Sequence, residues 1–388
     1  MPLITDTARL AEFCTRLARE EFVAVDTEFI REKTYYPQVC LIQLAGADEA
    51  YAVDALAPEI DLSPVFDLMR NPNVLKVFHA ARQDIEIFML KMDAVPAPMF
   101  DTQVAAMVAG FGEQAGYETL VQALARASID KSSRFTDWAL RPLTEKQIAY
   151  ALSDVTHLRT VYKKLKERLD RSGRHHWVES EMQTLTDPAT YRGDPRETWR
   201  RLRVRSPKPR FLAILRELAA WRELAAQQRD IPRQRMLRDE ALVEIAAHAP
   251  KTADELARTR GLSEGLARGK IGAELLAAVA KGVAVPEAEA PRLAERADAP
   301  RSNGAVAELL RVLLKMRADE HNVAARLIAA SDDLDRLAAE DDPDVPALKG
   351  WRREIFGEDA IALKQGRLAL VVKGRKLTAM PVPAASTA

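Results

Sequence analysis

A short apolar run that ends in two acids constrains the fold of this chain more than any other stretch. Residues 22–29 read FVAVDTEF, so the apolar run leads directly to Asp26 and Glu28. Its β-branched and aromatic residues favour a buried strand. Residues two apart project from the same face of a strand, so the two carboxylates lie side by side. Because unpaired carboxylates repel each other, this strand end predicts either a bound cation or a solvated edge.

Two further acids fall where they can join this pair. Asp84 lies in FHAARQDIEIF, in the first turns of a predicted helix that follows a buried strand. Strand ends and helix starts meet at one edge of an α/β sheet. Asp154 follows Tyr150 by four residues in YALSDVTHL, and residues i and i+4 share a face of a helix. Each acid alone is better explained by a solvated surface, but together they suit a hard divalent cation such as Mg²⁺ or Mn²⁺.

The charge distribution is informative once the chain is divided. The 388 residues carry no net charge, but residues 1–170 hold 19 Lys and Arg against 25 Asp and Glu. The remaining residues hold 38 against 32, and 14 basic residues with 5 acidic ones lie between Arg192 and Arg238. An acidic front and a basic middle suit a metal-dependent enzyme that holds a polyanion. Solvated helix faces explain such a basic run equally well.

The cysteine content and the hydropathy pattern exclude several classes of protein. Only Cys14 and Cys40 occur, so we expect a reducing compartment and no disulfide framework. The N-terminus lacks the basic region and apolar core of a signal peptide. No stretch reaches the roughly 20 apolar residues that a membrane span requires. We therefore expect a cytoplasmic protein.

The secondary-structure pattern predicts an N-terminal α/β domain with a mixed sheet in residues 1–170. Short strand patterns alternate with helices up to Asp101, and the pattern is helical beyond it. The last helix of this domain should begin after Thr144, a suitable N-cap. Pro207 and Pro209 discourage a continuous helix and predict a domain boundary near Ser206. The further segments are an Arg-rich connection at 171–206, a helical module at 207–285, a Pro-, Ala- and Glu-rich linker at 286–302 and a second helical module at 303–380.

The acidic motifs resemble those of a known enzyme family. VDTEF, FHAARQD and YALSD are similar to the three exonuclease motifs of the DEDD superfamily, in the subgroup with tyrosine in the third motif. The segments TYYPQVCLIQL, FDTQVAAM and IDKSSRFTDWALRPLTEKQIAYALSDV resemble the ribonuclease D family. RDIPRQRMLRDEALVEIA is similar to an HRDC domain, and LKGWRREIFGEDAIAL to a weaker second one. The resemblance implies a ribonuclease H-like α/β exonuclease domain with a mixed sheet, followed by two all-α HRDC helical bundles.

The resemblance also implies a role for each matched residue. Asp26 would bridge two divalent cations, Mg²⁺ or Mn²⁺, and Glu28 and Asp154 would complete the first site. Asp84 would support the second, directly or through water. Tyr150 would orient the attacking water, since a phenol with an unperturbed pKa near 10 is a poor base at neutral pH.

Two cations can stabilise both the attacking and the leaving oxygen of a phosphodiester hydrolysis. The resemblance therefore implies 3′→5′ release of nucleoside 5′-monophosphates from RNA. The expected substrate is RNA with a free 3′ end, in particular tRNA precursors, and no stable protein partner is expected. The HRDC domains would hold the RNA by charge, with little readout of bases.

Five other residues are weaker candidates. Phe29 follows the first motif and either packs in the core or contacts the terminal nucleotide. Lys131, Arg134 and Arg141 flank TDWALRPL and either meet phosphates or are solvated. His79 is better explained as a hydrogen-bonded residue at a strand end than as a catalytic one, because the third motif already supplies a tyrosine.

Two other functions remain open at the level of the sequence. A DNA 3′→5′ exonuclease would use the same acids, and recognition of the 2′-hydroxyl would separate RNA from DNA. A non-catalytic RNA-binding scaffold would use the basic middle segment and would not need a metal ion. The intact acidic set favours an enzyme, and the extended similarity between Ile129 and Asp154 favours RNA.

Overall fold

A six-stranded mixed sheet forms the centre of the N-terminal domain in the computed structural model, which describes residues 2–113, 115–204, 208–292 and 304–383. The strands are β1 (Leu3–Ile4), β2 (Phe22–Ile30), β3 (Gln38–Ala45), β4 (Ala50–Asp54), β5 (Leu75–Phe78) and β6 (Met99–Asp101). Their spatial order is β1-β4-β3-β2-β5-β6. β3 pairs antiparallel with both β2 and β4, and the other neighbours are parallel. The predicted mixed sheet is confirmed.

Strand β2 is paired differently along its two edges. β3 pairs with residues 24–30, whereas β5 pairs with residues 22–24 only, within the sheet described. β5 therefore ends level with the middle of β2, and the chain that follows β5 lies beside the part of β2 that carries the two acids. The register with β3 also shifts between Glu28 and Phe29, as in a β-bulge, which re-aims side chains locally.

Helices cover both faces of this sheet. They are α1 (Thr7–Leu17), α2 (Ser63–Arg70), α3 (Arg82–Met92), α4 (Thr102–Val108), α5 (Tyr117–Leu120), α6 (Glu145–Ser172) and α7 (His175–Leu185). The 28-residue α6 packs across β2, β3 and β4. Thr144 is its N-cap as predicted, since Thr144 Oγ1 accepts from the N–H of Gln147 and the Gln147 side chain accepts from the N–H of Thr144. Neither α6 nor any other helix within the described ranges is long and apolar enough to cross a membrane.

The first C-terminal module is a helical bundle with its own core. Its helices are α8 (Pro209–Arg229), α9 (Arg233–Met236), α10 (Asp239–His248), α11 (Ala253–Leu256), α12 (Glu264–Arg268) and α13 (Lys270–Ala284). Leu215, Leu242 and Leu275 are central to this core. The predicted boundary near Ser206 and residues 293–302 of the predicted linker lie outside the described residues.

The predicted connection at 171–206 is divided between two cores. Trp177 and Met182 of α7 pack in the main core of the N-terminal domain. Trp199 and Leu202 are buried in the core of the helical bundle. The segment therefore packs into the core of the N-terminal domain at its start and into the core of the bundle at its end.

The second C-terminal module shares the main core instead of forming a separate bundle. Its elements are α14 (Gly304–His321), α15 (Ala325–Ile328), α16 (Ser331–Ala339), α17 (Gly350–Arg352), α18 (Glu358–Lys364), β7 (Leu368–Lys373) and β8 (Lys376–Pro381). The Trp351 and Trp177 rings stack with centroids 4.5 Å apart, and Arg352 pairs with Glu181. The prediction of an all-α module is wrong at its end, because the β-branched, alternating stretch around Gly374 pairs as an antiparallel hairpin.

The bundle also contacts the loop that follows β2. Asp230 Oδ1 accepts hydrogen bonds from the N–H groups of Tyr35 and Tyr36, both at 3.0 Å. The Tyr35 hydroxyl donates to Glu223 and accepts from Gln227 Nε2 at 3.0 Å. The strand that carries the two acids therefore continues beyond Ile30 into the docking loop of the bundle.

The shared core predicts that the C-terminal module stabilises the N-terminal domain. We expect Trp351→Ala to lower the free energy of unfolding by about 3 to 5 kcal/mol, because it removes a buried aromatic ring. Urea unfolding followed by circular dichroism measures the change. Val372→Ala, at a position 69% exposed on β7, is the control and should shift it by less than about 0.5 kcal/mol. Equal stability of the two variants would contradict a shared core.

Candidate active site

Three carboxylates meet where β2 passes under α6. Ligand oxygens of Asp26, Glu28 and Asp154 lie within 4.8 Å of one another. Asp26 and Glu28 share one face of β2, and α6 contributes Asp154. All three side chains are half-buried and line a cavity of about 550 Å³. The fold thus brings together three acids that lie up to 128 positions apart in the sequence.

Asp84 approaches β2 from the opposite face of the sheet. It lies in the first turn of α3, is 7% exposed, and its Oδ1 accepts a 2.5 Å hydrogen bond from Thr27 Oγ1. Thr27 alternates with Asp26 and Glu28 and therefore points to the other face. Burial and the nearby Asp26 raise the pKa of Asp84 well above its ordinary value. Asp84 thus flanks the three-carboxylate cluster without joining it.

The cluster is electrostatically unfavourable unless a cation joins it. Burial, followed by the neighbouring carboxylates, raises the pKa of Glu28 to about 9. Burial and Asp154 raise the pKa of Asp26 well above its ordinary value. Burial also raises the pKa of Asp154 to about 7, against the positive charge of Arg134 and a hydrogen bond from Tyr150. Hard oxygen ligands with raised pKa values fit a divalent cation, which favours their ionised forms.

Tyr150 faces this cluster one helical turn before Asp154. It lines the same cavity, and its ring stacks on Trp138 with centroids 6.2 Å apart. Burial, followed by the carboxylates, raises the pKa of the Tyr150 hydroxyl above its ordinary value. The phenol therefore stays protonated at neutral pH, where it can donate a hydrogen bond but cannot act as a base.

Two of the predicted phosphate contacts lie in the cavity, together with an aromatic residue that sequence reasoning missed. Lys131, Arg134 and Phe135 all line it, and Lys131 pairs with Glu118. Phe135 is 90% exposed, and the Arg134 guanidinium carbon lies 5.2 Å from the centroid of its ring. Nothing in the sequence pattern distinguishes this exposed phenylalanine from a buried one.

Arg141 and Phe29 do not line the cavity, and their contacts with substrate stay predictions. Arg141 binds Asp54 at 2.6 and 2.8 Å and the carbonyl of Cys40 at 2.9 Å, so its guanidinium joins the approach to α6 to the sheet. Phe29 is half-buried against the main core, just after the register shift that follows Glu28. A register shift changes the direction of a side chain and cannot be read from strand periodicity.

His79 and Tyr117 form one wall of the cavity. His79 Nδ1 lies 3.0 Å from Thr102 Oγ1, and burial lowers the pKa of His79. These features fit the predicted hydrogen-bonded histidine at a strand end. Tyr117 packs against His79 with ring centroids 5.3 Å apart, and its hydroxyl donates to the backbone carbonyl of Asp154. Tyr117 thereby supports the turn of α6 that carries Asp154, a role that no sequence motif indicated.

Asp101 holds the turn that leads into α3. It is 2% exposed, and its carboxylate accepts from the N–H groups of Ala80 and Ala81 at 3.1 and 2.8 Å. Ala80 has a φ of 58°, which a residue with a side chain adopts only when its surroundings constrain it. Asp101 therefore sets the direction from which Asp84 reaches β2. The sequence contained this residue in FDTQVAAM but indicated no role for it.

Much of the basic stretch between Arg192 and Arg238 is used within the protein. Among the described residues, six of its arginines form ion pairs: Arg192–Asp93, Arg196–Glu217, Arg200–Glu197, Arg216–Glu217, Arg222–Asp239 and Arg233–Glu223. A further one, Arg210, donates to backbone carbonyls at the end of α13. The positive charge available to a polyanion is therefore smaller than the count of basic residues suggests.

Known proteins are similar in sequence to almost the whole chain. A 3′-5′ exonuclease family model matches residues 1–170, and an HRDC domain model matches residues 211–279. The chain is 54% identical to ribonuclease D of Granulibacter bethesdensis over 376 residues, covering 97% of this chain and 95% of the relative. The chain belongs to the ribonuclease D family. Ribonuclease D of Gluconacetobacter diazotrophicus is 55% identical over 379 residues, with 98% and 96% covered.

A solved member of the ribonuclease D family has the same architecture. The crystal structure of Escherichia coli RNase D matches with a TM-score of 0.81 and 31% identity. The match covers 94% of this chain and 98% of that protein. The similarity therefore includes both C-terminal modules as well as the exonuclease domain.

The raised pKa of Glu28 predicts a pH-dependent loss of stability in the metal-free protein. Between the ordinary value of 4.5 and the folded value of about 9, the unfolded chain releases this proton before the folded one. The contribution of Glu28 to stability therefore falls as the pH rises through this window. In EDTA, we expect Glu28→Gln to raise the melting temperature by at least about 2 to 4 °C at pH 8. At pH 5, the same substitution should change the melting temperature very little. Differential scanning fluorimetry measures both.

The control is Glu12→Gln, at an exposed position on α1. It should leave the melting temperature unchanged at both pH values. An equal effect of Glu28→Gln at pH 5 and pH 8 would show that its carboxylate does not titrate as the buried cluster requires.

Proposed function

We propose that this chain removes nucleotides from RNA 3′ ends with two divalent cations, Mg²⁺ or Mn²⁺, held by Asp26, Glu28, Asp84 and Asp154. As a member of the ribonuclease D family, the chain is a 3′→5′ exoribonuclease. The observation that carries the residue assignment is the set of three carboxylates within 4.8 Å in one cavity with Tyr150.

The four acids provide the carboxylate oxygens that such cations need as ligands. The carboxylate oxygens of Asp26, Glu28 and Asp154 converge on one point. Asp84, which accepts a hydrogen bond from Thr27, would hold a cation directly or through a water molecule. When bound, divalent cations polarise the phosphoryl oxygens and lower the pKa of water. The fold supplies the dense, half-buried negative charge that makes their binding favourable.

The remaining side chains of the cavity orient the reacting groups. Tyr150 keeps its proton and donates a hydrogen bond that orients the attacking water. Arg134 offers charge-assisted hydrogen bonds to the phosphate oxygens of the scissile group. Lys131, which lines the same cavity, adds positive charge that attracts the incoming RNA strand.

We propose structured RNA with a free 3′ end as the substrate, and tRNA precursors in particular. Escherichia coli RNase D is described as an exoribonuclease involved in structured RNA processing, and its similarity to this chain supports the proposal. The HRDC domain at 207–285 would hold the RNA by charge. Residues 303–380 would form a second HRDC-like module, supported by the run of helices from α14 to α18.

The test uses a 3′-extended tRNA precursor with a free or a blocked 3′ end, in Mg²⁺, Mn²⁺ or EDTA. We expect stepwise shortening of the free RNA with metal. Asp26→Asn and Asp154→Asn should slow it about 1,000-fold, because metal ions supply several kcal/mol of transition-state stabilisation. Tyr150→Phe should slow it about 100-fold, because it removes the hydrogen bond to the attacking water and leaves the carboxylates in place. Gel analysis of single-turnover reactions gives the rates.

The control is Asp48→Asn, an exposed turn residue between β3 and β4, which should trim like the wild type. A DNA strand of matching sequence runs in parallel. Equal or faster trimming of DNA would identify a DNA exonuclease. RNA that binds but is not shortened with any metal would identify an RNA-binding scaffold.

Phe135 generates a separate prediction about substrate binding. An exposed aromatic ring at the cavity mouth can stack on an RNA base, which is worth about 1 to 3 kcal/mol. We expect Phe135→Ala to raise the KM for single-stranded RNA about 10-fold with little change in kcat, and Phe135→Trp to retain the wild-type KM. A KM that is unchanged in Phe135→Ala would exclude this contact.

A further inference from the structure

Gln43 is a fully buried amide whose polar atoms are unpaired. It lies in the middle of β3 and is 0% exposed. Among the residues that the structure describes, none forms a hydrogen bond with its Nε2 or its Oε1. An unpaired polar group in a core costs about 1 to 3 kcal/mol. An apolar side chain of similar size would avoid this cost, so the amide at this position requires an explanation.

The strand register places Gln43 beside the acidic cluster. Gln43 stands directly opposite Asp26 across the antiparallel pair of β2 and β3. Opposed residues project from the same face, with Cβ atoms about 5 Å apart. Leu41 stands opposite Glu28 in the same row, so Gln43 is the polar member of the row that borders the two acids. Asp26 lines the cavity, whereas Gln43 is closed off from solvent behind it.

The chemistry of a primary amide suits this place. A carboxylate that binds a cation with one lone pair of each oxygen keeps further lone pairs for hydrogen-bond donors. Such a donor fixes the orientation of the ligand, and its removal typically lowers metal affinity 10- to 100-fold. Nε2 of Gln43 has two N–H groups, and the side chain stands directly opposite Asp26 on the same face of the strand pair.

We propose that Gln43 is a positioning residue that donates a hydrogen bond from Nε2 to the Asp26 carboxylate when that carboxylate holds a divalent cation. The proposal rests on the proposed function, because Asp26 must be a metal ligand. Gln43 acts through Asp26 and contacts neither the substrate nor the cation. The unpaired amide is thus retained for metal affinity at the expense of stability.

The test compares metal affinity with stability in Gln43→Met, which keeps the approximate size of the side chain and removes both polar atoms. In EDTA, we expect a melting temperature equal to or above that of the wild type, because the unpaired amide is gone. We expect the Kd for Mn²⁺, measured by isothermal titration calorimetry on the full chain, to weaken about 10- to 100-fold. An unchanged Kd would overturn the proposal, and a lower melting temperature with an unchanged Kd would identify a purely structural amide. Gln43→Leu provides a second apolar variant if methionine does not pack.

Two controls separate this inference from the proposed function. Asp26→Asn should abolish tight Mn²⁺ binding, and wild-type binding by this variant would refute the metal site itself. If Asp26→Asn loses binding while Gln43→Met binds like the wild type, only the role of Gln43 fails. Gln147→Met removes another buried glutamine, one whose Oε1 accepts from the N–H of Thr144 and whose Nε2 donates to Thr136. It should lower the melting temperature and leave the Kd for Mn²⁺ within about twofold of the wild type.

Discussion

Repulsion among acids that are held together in a half-buried cavity is the constraint to which the rest of the structure responds. Asp26, Glu28 and Asp154 bring their oxygens within 4.8 Å, and burial makes their ionised forms unfavourable without a cation. Such an arrangement persists because two rigid elements impose it. β2 is paired on both edges, and α6 crosses the sheet above it with a well-formed cap. The folding free energy of the whole domain therefore offsets the repulsion that would otherwise move the three carboxylates apart.

Each acid outside β2 also has a support of its own. Tyr117 binds the carbonyl of Asp154, and Thr27 donates to the carboxylate of Asp84. Asp101 closes the strained turn at Ala80 and so directs the helix that carries Asp84. These supports are single hydrogen-bonding groups that are buried or half-buried, and each acts on one acid. Precise placement of the acids thus depends on residues outside the three-carboxylate cluster.

The two C-terminal modules attach to the catalytic domain in different ways. The second module contributes Trp351 to the main core, so it folds as part of that domain. The helical bundle keeps its own core and docks on Tyr35 and Tyr36, in the loop that continues from β2. One strand therefore connects the candidate metal ligands to the surface that holds the bundle. That docking combines hydrogen bonds of a few polar groups with packing of Tyr35 against Ala225, Ala226 and Met236.

Local patterns along the chain determine much of this protein by themselves. The i, i+2 spacing of Asp26 and Glu28, the i, i+4 spacing of Tyr150 and Asp154 and the Thr144 cap all follow from near neighbours along the chain. The motifs and their order also predicted the mixed sheet and the family. These features depend on backbone geometry over a few residues, which the sequence encodes directly.

Tertiary structure alone decided the features that depend on distant contacts. It paired Arg141 with Asp54, turned Phe29 toward the core after a register shift and joined the second module to the main core. It also placed Gln43 opposite Asp26, which no periodicity along β3 reveals. Strand register and packing follow from the combined energies of residues that are far apart in the sequence, so local pattern carries no record of them.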